Sequence, residues 1–326
     1  MRRRKFLGLL SGAMAWPIGA SAQSGIPAVA YLSVGSPDTM ATRTAGFRKG
    51  LQETGFIEGR TVTVEYHWFN GQYDGLTSVL QDLNKRKLAA IAIPGSTPIS
   101  LAAKKLVADI PIVFGVAENP VSLGLVSSLA RPTGNATGTN FFAIEIDTKR
   151  LGLMHELVPA AKKVAVLLNP ANPRYSEATR RAISAAAPSL GIEVSFFEAS
   201  TSEEIETAFP AMARMNAGAL FVATEAFFSS RGSQLSQLAL AYRLPACSSN
   251  RELARAGLLM TYGASFEEIG RQIGFYVGRI LKGEKPADLP VVQSEKLDLT
   301  INGKTAAALG LSVPPMMLAR ADEVID

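Results

Sequence analysis

The 326-residue chain is 47% hydrophobic and 19% charged, which is enough apolar material for two ordinary domain cores. Its formal charge is +5, but Arg2, Arg3, Arg4 and Lys5 supply four of those positives, so the remainder is close to neutral. A basic field suited to nucleic acid or an anionic membrane is therefore excluded, and a single cysteine excludes an intrachain disulfide.

The chain starts with a basic segment, an apolar stretch from Phe6 to Ile18, and small residues at Ala20 and Ala22. This pattern predicts an export signal over residues 1–22, and Arg3-Arg4-Lys5-Phe6-Leu7 resembles the twin-arginine type. No cysteine follows the apolar stretch, so no lipid anchor is expected, and no later segment approaches a membrane-spanning length.

From Ile26 onward short apolar runs alternate with amphipathic ones. Residues 29–33 and 61–68 predict strands, while 40–55 predicts a helix whose Phe47 and Leu51 share a face and which ends at Gly55. Uninterrupted apolar runs at 88–93 and 110–116 flank a helical stripe through Ile99, Ala103 and Leu106. Buried strands joined by helices indicate a parallel sheet covered on both faces. A second series follows the same plan: strands at 163–168, 192–199, 219–224 and 244–249, with helices at 175–190, 202–215 and 232–242. "VAYLSVGSPD" at 29–38 and "VAVLLNPANP" at 164–173 share Val-Ala-x-Leu before a polar, proline-containing turn, and a helix ended by glycine follows each, which suggests duplication. Segments 130–145, 257–265 and 285–301 are expected to cross between the two lobes. The expected fold is α/β, with two Rossmann-like lobes of parallel sheet joined by a three-strand hinge. Lobe 1 takes residues 26–138 and 262–288, and lobe 2 takes 139–261 and 289–326.

Ligands of open parallel sheets bind beyond the carboxyl ends of the strands. In the first lobe those ends carry Ser33 and Ser36, then Ser96 and Thr97, then Glu118 and Asn119. In the second they carry Asn169 and Asn172, Thr224 and Glu225, and Ser249 and Asn250. These are groups that hydrogen-bond a small polar ligand. Thr97 has the chemistry of an N-cap and Pro98 that of a first helical residue, so free N–H groups would point into the cleft and suit a carboxylate. Thr97 would serve equally as a simple cap. Tyr31, Trp68, Phe114, Phe141, Phe142, Phe227, Phe228 and Tyr262 are candidates for an aromatic wall, although each reads first as core; Tyr262, beside Gly263 in an expected hinge strand, is the best placed to pack on an apolar ligand.

Catalytic constellations are weak. The two histidines, His67 and His155, lack metal-ligand spacing, and nucleophile-elbow and phosphate-cradling glycine motifs are missing, so no cofactor is expected. Cys247 lies in an apolar run and reads as core.

Residues 110–138, 156–173 and 258–326 together resemble the ABC transporter substrate-binding protein family whose characterised members include tryptophan-binding proteins. The resemblance implies a type I periplasmic-binding fold without catalysis, and amino-acid-like or aromatic carboxylate ligands. It also implies permease and ATPase partners; the membrane is approached only through the permease, and the protein is a monomer in the periplasm. Two departures stand out. Glu118-Asn119-Pro120 replaces the Gly-Asp-Pro of many members, and Tyr262-Gly263-Ala264-Ser265 replaces Tyr-Gly-Pro-Asp. An exported hydrolase or redox enzyme, and a periplasmic sensory binding protein, remain as alternatives.

Overall fold

A computed structural model describes residues 25–141, 143–294 and 296–326. The expected export signal and Phe142 lie outside the described residues. The first lobe runs β1 (Ala28–Ser33), α1 (Ala41–Glu53), β2 (Thr63–Trp68), α2 (Leu76–Asn84), β3 (Ala90–Pro94), α3 (Thr97–Leu106), β4 (Ile112–Val116) and β5 (Ala136–Asn140). The chain then crosses to α4 (Ala143–Leu157), β6 (Lys163–Leu168), α5 (Pro173–Ala186), β7 (Glu193–Glu198), α6 (Ser202–Arg214) and β8 (Ala219–Val222). It continues through α7 (Ala226–Ser230), α8 (Gly232–Ala241), β9 (Ala246–Ser248), α9 (Arg251–Ala256) and β10 (Met260–Ala264). A second crossing leads to α10 (Phe266–Leu281) and β11 (Val292–Gln293). A third leads to β12 (Leu297–Asn302), α11 (Gly303–Leu309), α12 (Pro315–Arg320) and β13 (Glu323–Ile325).

The sheets are ordered β11-β5-β4-β3-β1-β2 and β13-β12-β10-β9-β8-β6-β7. Counted from β1 or from β6, the first five strands of each lobe wind in the same order, with a switch point beside the first strand. That common winding supports the duplication read from the sequence. All pairings are parallel except β10 with β12. Strands β1, β3, β4, β6 and β8 are almost wholly buried, as their continuous apolar runs require.

Pairing moves the expected breakpoints. Thr139 and Asn140 pair with β4, and Val292 and Gln293 pair with β5, so both stretches belong to the first sheet rather than to lobe 2. Tyr262 to Ala264 pair with β12 in the second sheet rather than opening lobe 1. The lobe changes therefore fall between β5 and α4, at Ser265, and between β11 and β12. The first of these contains Phe141 and the second is followed at once by Phe266.

Helix α10 returns to the first lobe and packs along α1 through glycines on both sides. A Cβ on Gly46 would overlap the Glu267 carbonyl and one on Gly50 the Arg271 carbonyl; Gly270 and Gly274 stand in the same relation to the Arg43 and Phe47 carbonyls. The two backbones thus touch directly, and the start of α10 is fixed beside the start of α1. Among the described residues no helix is long and apolar enough to cross a membrane.

Candidate ligand-binding site

The carboxyl ends of the strands in the two lobes face each other across a narrow, partly open cavity of about 20 Å³. Lobe 1 contributes Gly95, Ser96 and Thr97 after β3 and Ala117 after β4. Lobe 2 contributes Asn172 after β6, and Thr224 and Glu225 after β8. The aromatic walls come from the crossings, where Phe141 and Phe266 meet edge to face with centroids 6.1 Å apart. The lobes touch in this state. Tyr73 Oη donates to Glu225 Oε1 at 3.3 Å, Thr42 Oγ1 to Glu252 Oε1 at 2.8 Å, and Arg231 Nη2 to the Asn70 carbonyl at 3.2 Å.

Three charged groups set the electrostatics. Arg43, in the first turn of α1, lines the cavity while only 5% exposed. Its Cζ lies 3.8 Å over the Phe266 ring, its Nη1 lies 3.8 Å from the Met40 sulfur, and its Nε has no partner among the described residues. Burial pulls the guanidinium down to about 10. Glu225 receives bonds from Asn172 Nδ2 (3.2 Å) and Tyr73, yet burial, reinforced by the charge of Glu118, pushes its carboxyl up to about 7. Glu118 takes the Thr97 hydroxyl on Oε2 at 2.6 Å, its Oε1 is buried and unpartnered, and burial raises its pKa too. Burial also raises Tyr73, so it stays a neutral donor to Glu225.

A buried network behind the cavity holds the lobe 2 wall. Arg150 and Asp147, both fully buried on α4, pair at 2.9 Å. Asp147 Oδ2 also accepts from Tyr175 (3.0 Å) and Thr179 (2.9 Å) on α5. Arg150 donates to Thr224 Oγ1 (3.2 Å) and to the Tyr262 carbonyl (2.7 Å), and the Thr224 N–H donates to Tyr175 Oη (3.2 Å). The strand-end loop carrying Thr224 and Glu225 is thereby tied to α4, α5 and β10. A partnered, hydrogen-bonded pair is the form in which a buried charge is tolerated.

Residues 28–325 match the family model described as "ABC transporter substrate binding protein". The chain belongs to this family. A curated relative, the tyrosine-binding protein of Clostridioides difficile (strain R20291), is 29% identical over 284 residues, covering 85% of this chain and 80% of that protein. A solved structure of an ABC domain in complex with L-Trp from Streptococcus pneumonia has a TM-score of 0.83 at 22% identity, covering 92% of this chain and all of that one. A conserved domain protein from Vibrio cholerae has a TM-score of 0.82 at 24% identity, with the same coverage. The fold is that of type I periplasmic binding proteins, as the sequence led one to expect.

In this substrate-binding protein the cavity brings together Ser96, Thr97, Asn172, Thr224, Glu225 and Phe141 of the expected residues. Their roles differ in part from those expected. Ser96, not Thr97, caps α3, accepting from the Ile99 N–H at 3.4 Å; Thr97 is the first helical residue and its hydroxyl is engaged by Glu118. Ser33, Ser36, Asn119, Asn169, Asn250 and Tyr262 do not line the cavity. Ser33 accepts from the Gly35 N–H, and Ser36 bonds Thr39 within its own turn. Exposed Asn119 accepts from the Val121 and Ser122 N–H groups, leaving its neighbour Glu118 to approach the cleft. Asn169 accepts from the Ala171 N–H and borders an adjoining crevice between the lobes with Tyr73 and Arg231. Asn250 caps α9 through the Glu252 N–H and borders another with Thr42. The Tyr262 ring packs in the core beneath Lys149, at 4.9 Å from Nζ. Small polar residues after a strand satisfy the turn's own N–H groups first, which is why most of them turn away.

Arg43, Phe266 and Tyr73 were missed. Arg43 sits in an amphipathic helix where an arginine reads as a solvated face, and only the packing of α10 onto α1 buries it. Phe266 had a signal in its position directly after the second crossing, much as Phe141 lies in the first. Cys247 is buried as expected, its thiol pushed up to about 12 by burial.

Proposed function

We propose that this substrate-binding protein is the periplasmic receptor of an ABC importer, and that it closes about its three-part hinge on a small amino-acid-like or aromatic carboxylate. One observation carries this reading: Arg43 and Glu225, of opposite charge and from opposite lobes, line one narrow cavity together with Phe141 and Phe266. Aromatic side chains beside convergent polar groups suit a small organic ligand, which the lobes must part to admit, since the cavity holds only about 20 Å³. Relatives named for tyrosine and solved with tryptophan are consistent with a flat ligand of this class. Ser96, Asn172 and Glu225 would take the ligand's polar groups. Export rests on the basic and apolar start of the chain, and the permease and ATPase are the partners that the family implies.

The test is native mass spectrometry of the protein purified from its own periplasm, followed by a thermal-shift screen of amino acids and aromatic acids. A co-purified small molecule that raises the melting temperature with concentration is the expected result. A protein that carries no such molecule, and that no member of the screen stabilises, would rule the reading out.

A further inference from the structure

Among the described residues Arg43 meets no anion. It is 5% exposed, its Nε is orphaned, and among the described residues no carboxylate comes within ion-pair distance of it. A desolvated guanidinium without a counter-charge is costly, and it persists where something else supplies the charge. Its surroundings look built rather than incidental. The Phe266 ring supports one face of the guanidinium at 3.8 Å. Gly95, at φ +116°, leaves open the space into which a Cβ would collide with Nη1. Both neighbours line the same cavity as the arginine.

The alternative anchor for a ligand carboxylate is the N-terminus of α3, and it is compromised. The Thr97 hydroxyl is already donated to Glu118. A second carboxylate drawn to that helix end would lie beside a like charge in a low-dielectric site. Arg43 carries no such conflict, and a planar fork stacked on an aromatic ring suits bidentate capture of a carboxylate.

We infer that Arg43 is the specificity residue that reads the ligand's carboxylate, held in place by Gly95 and Phe266. This rests on the proposed role as a receptor for small aromatic carboxylates and goes beyond it by naming the group that selects them. Multiply charged anions are disfavoured, because Glu118 and Glu225 flank the site. Neutral amides and amines of the same shape lose the one contact that satisfies the arginine.

The test compares wild type with Arg43→Met and Arg43→Lys by calorimetric titration against acid–amide pairs. These are L-tryptophan and L-tryptophanamide, L-tyrosine and L-tyrosinamide, and, free of the amine, indole-3-propionate and its amide. Wild type should prefer at least one acid over its amide by about thirtyfold or more, as loss of a hydrogen bond to a charged group predicts. Arg43→Met should bring acid and amide within about threefold of each other, and Arg43→Lys should fall between. The melting temperature of ligand-free Arg43→Met should equal or exceed that of wild type, because an unpaired buried charge is removed; a purely structural arginine would lower it. Retention of the acid preference in Arg43→Met would overturn the inference while leaving the receptor role standing, as would a wild type that binds acid and amide alike. Binding of no probe by wild type would overturn the ligand class and the role of Arg43 together.

Discussion

Thr97 donates its hydroxyl to Glu118 Oε2 at 2.6 Å, so the helix end expected to face a ligand faces a carboxylate of its own lobe. Glu118 Oε1 is already buried without a partner, which makes Thr97 the donor that tolerates this charge. Thr97→Val should cost about 1–3 kcal/mol at pH 8, the range for stranding a buried acceptor. Burial already raises the Glu118 pKa, and losing the hydroxyl raises it further, so the cost should shrink as the pH falls and the carboxyl protonates. Urea denaturation at pH 4.5 and pH 8 measures this; a loss at pH 4.5 as large as that at pH 8 would contradict it.

Glu225 supplies a second pH dependence. Its folded value of about 7 stands above the ordinary 4.5, so between these values the folded protein keeps a proton that the unfolded chain has released. Stability should therefore fall as pH rises through that window and level off above it, by up to about 3 kcal/mol. Glu225→Gln removes the titration and mimics the protonated carboxyl, its oxygen accepting from Asn172 Nδ2 while its amide N–H faces the Tyr73 hydroxyl, which can turn to accept. It should match wild type near pH 4.5 and exceed it near pH 8, read as the urea midpoint across pH. A variant curve parallel to wild type would show that Glu225 is not the titrating group.

The Asp147–Arg150 pair is fully buried, and each member answers the charge of the other. Asp147→Asn alone leaves Arg150 uncompensated and should cost about 3–5 kcal/mol. Replacing both, with Asp147→Asn and Arg150→Met, should cost less than the sum of the two single changes. A double-mutant cycle on the unfolding free energy gives the coupling directly. Additive losses would mean that the two side chains act independently.

Gly274 and Gly152 make a matched pair of helical glycines. A methyl on Gly274 would collide with the Phe47 carbonyl, so Gly274→Ala should lose about 1–3 kcal/mol by forcing α10 off α1. Gly152, inside α4, has open space around its Cβ position, and Gly152→Ala should gain up to about 1 kcal/mol from helix propensity. Midpoints of denaturation with an unchanged slope test both, and a neutral Gly274→Ala would refute the close backbone contact.

The lobes were legible because buried parallel strands write themselves as uninterrupted apolar runs, and "LAAIAI" and "KVAVLL" are such runs. The winding followed from their alternation with helices. Site residues at strand ends were less legible, since Asn119, Asn169 and Asn250 have the same chemistry as Asn172 and only local turn geometry separates them. What sequence could not show was long-range burial. Arg43 and Phe266 are 223 positions apart and meet only because glycines four apart on α1 and on α10 let those helices touch.

That seam also dictates an order of events. Phe266 begins α10 and Arg43 begins α1, and with backbones in direct contact the two helices move as one rigid piece of lobe 1. Under the proposed hinge motion, opening would be absorbed on the far side of Ser265, leaving the arginine on its ring undisturbed. If the cavity takes a solute as proposed, the solute would meet Arg43 and Phe266 already assembled, and Asn172, Thr224 and Glu225 would close on it afterwards from lobe 2.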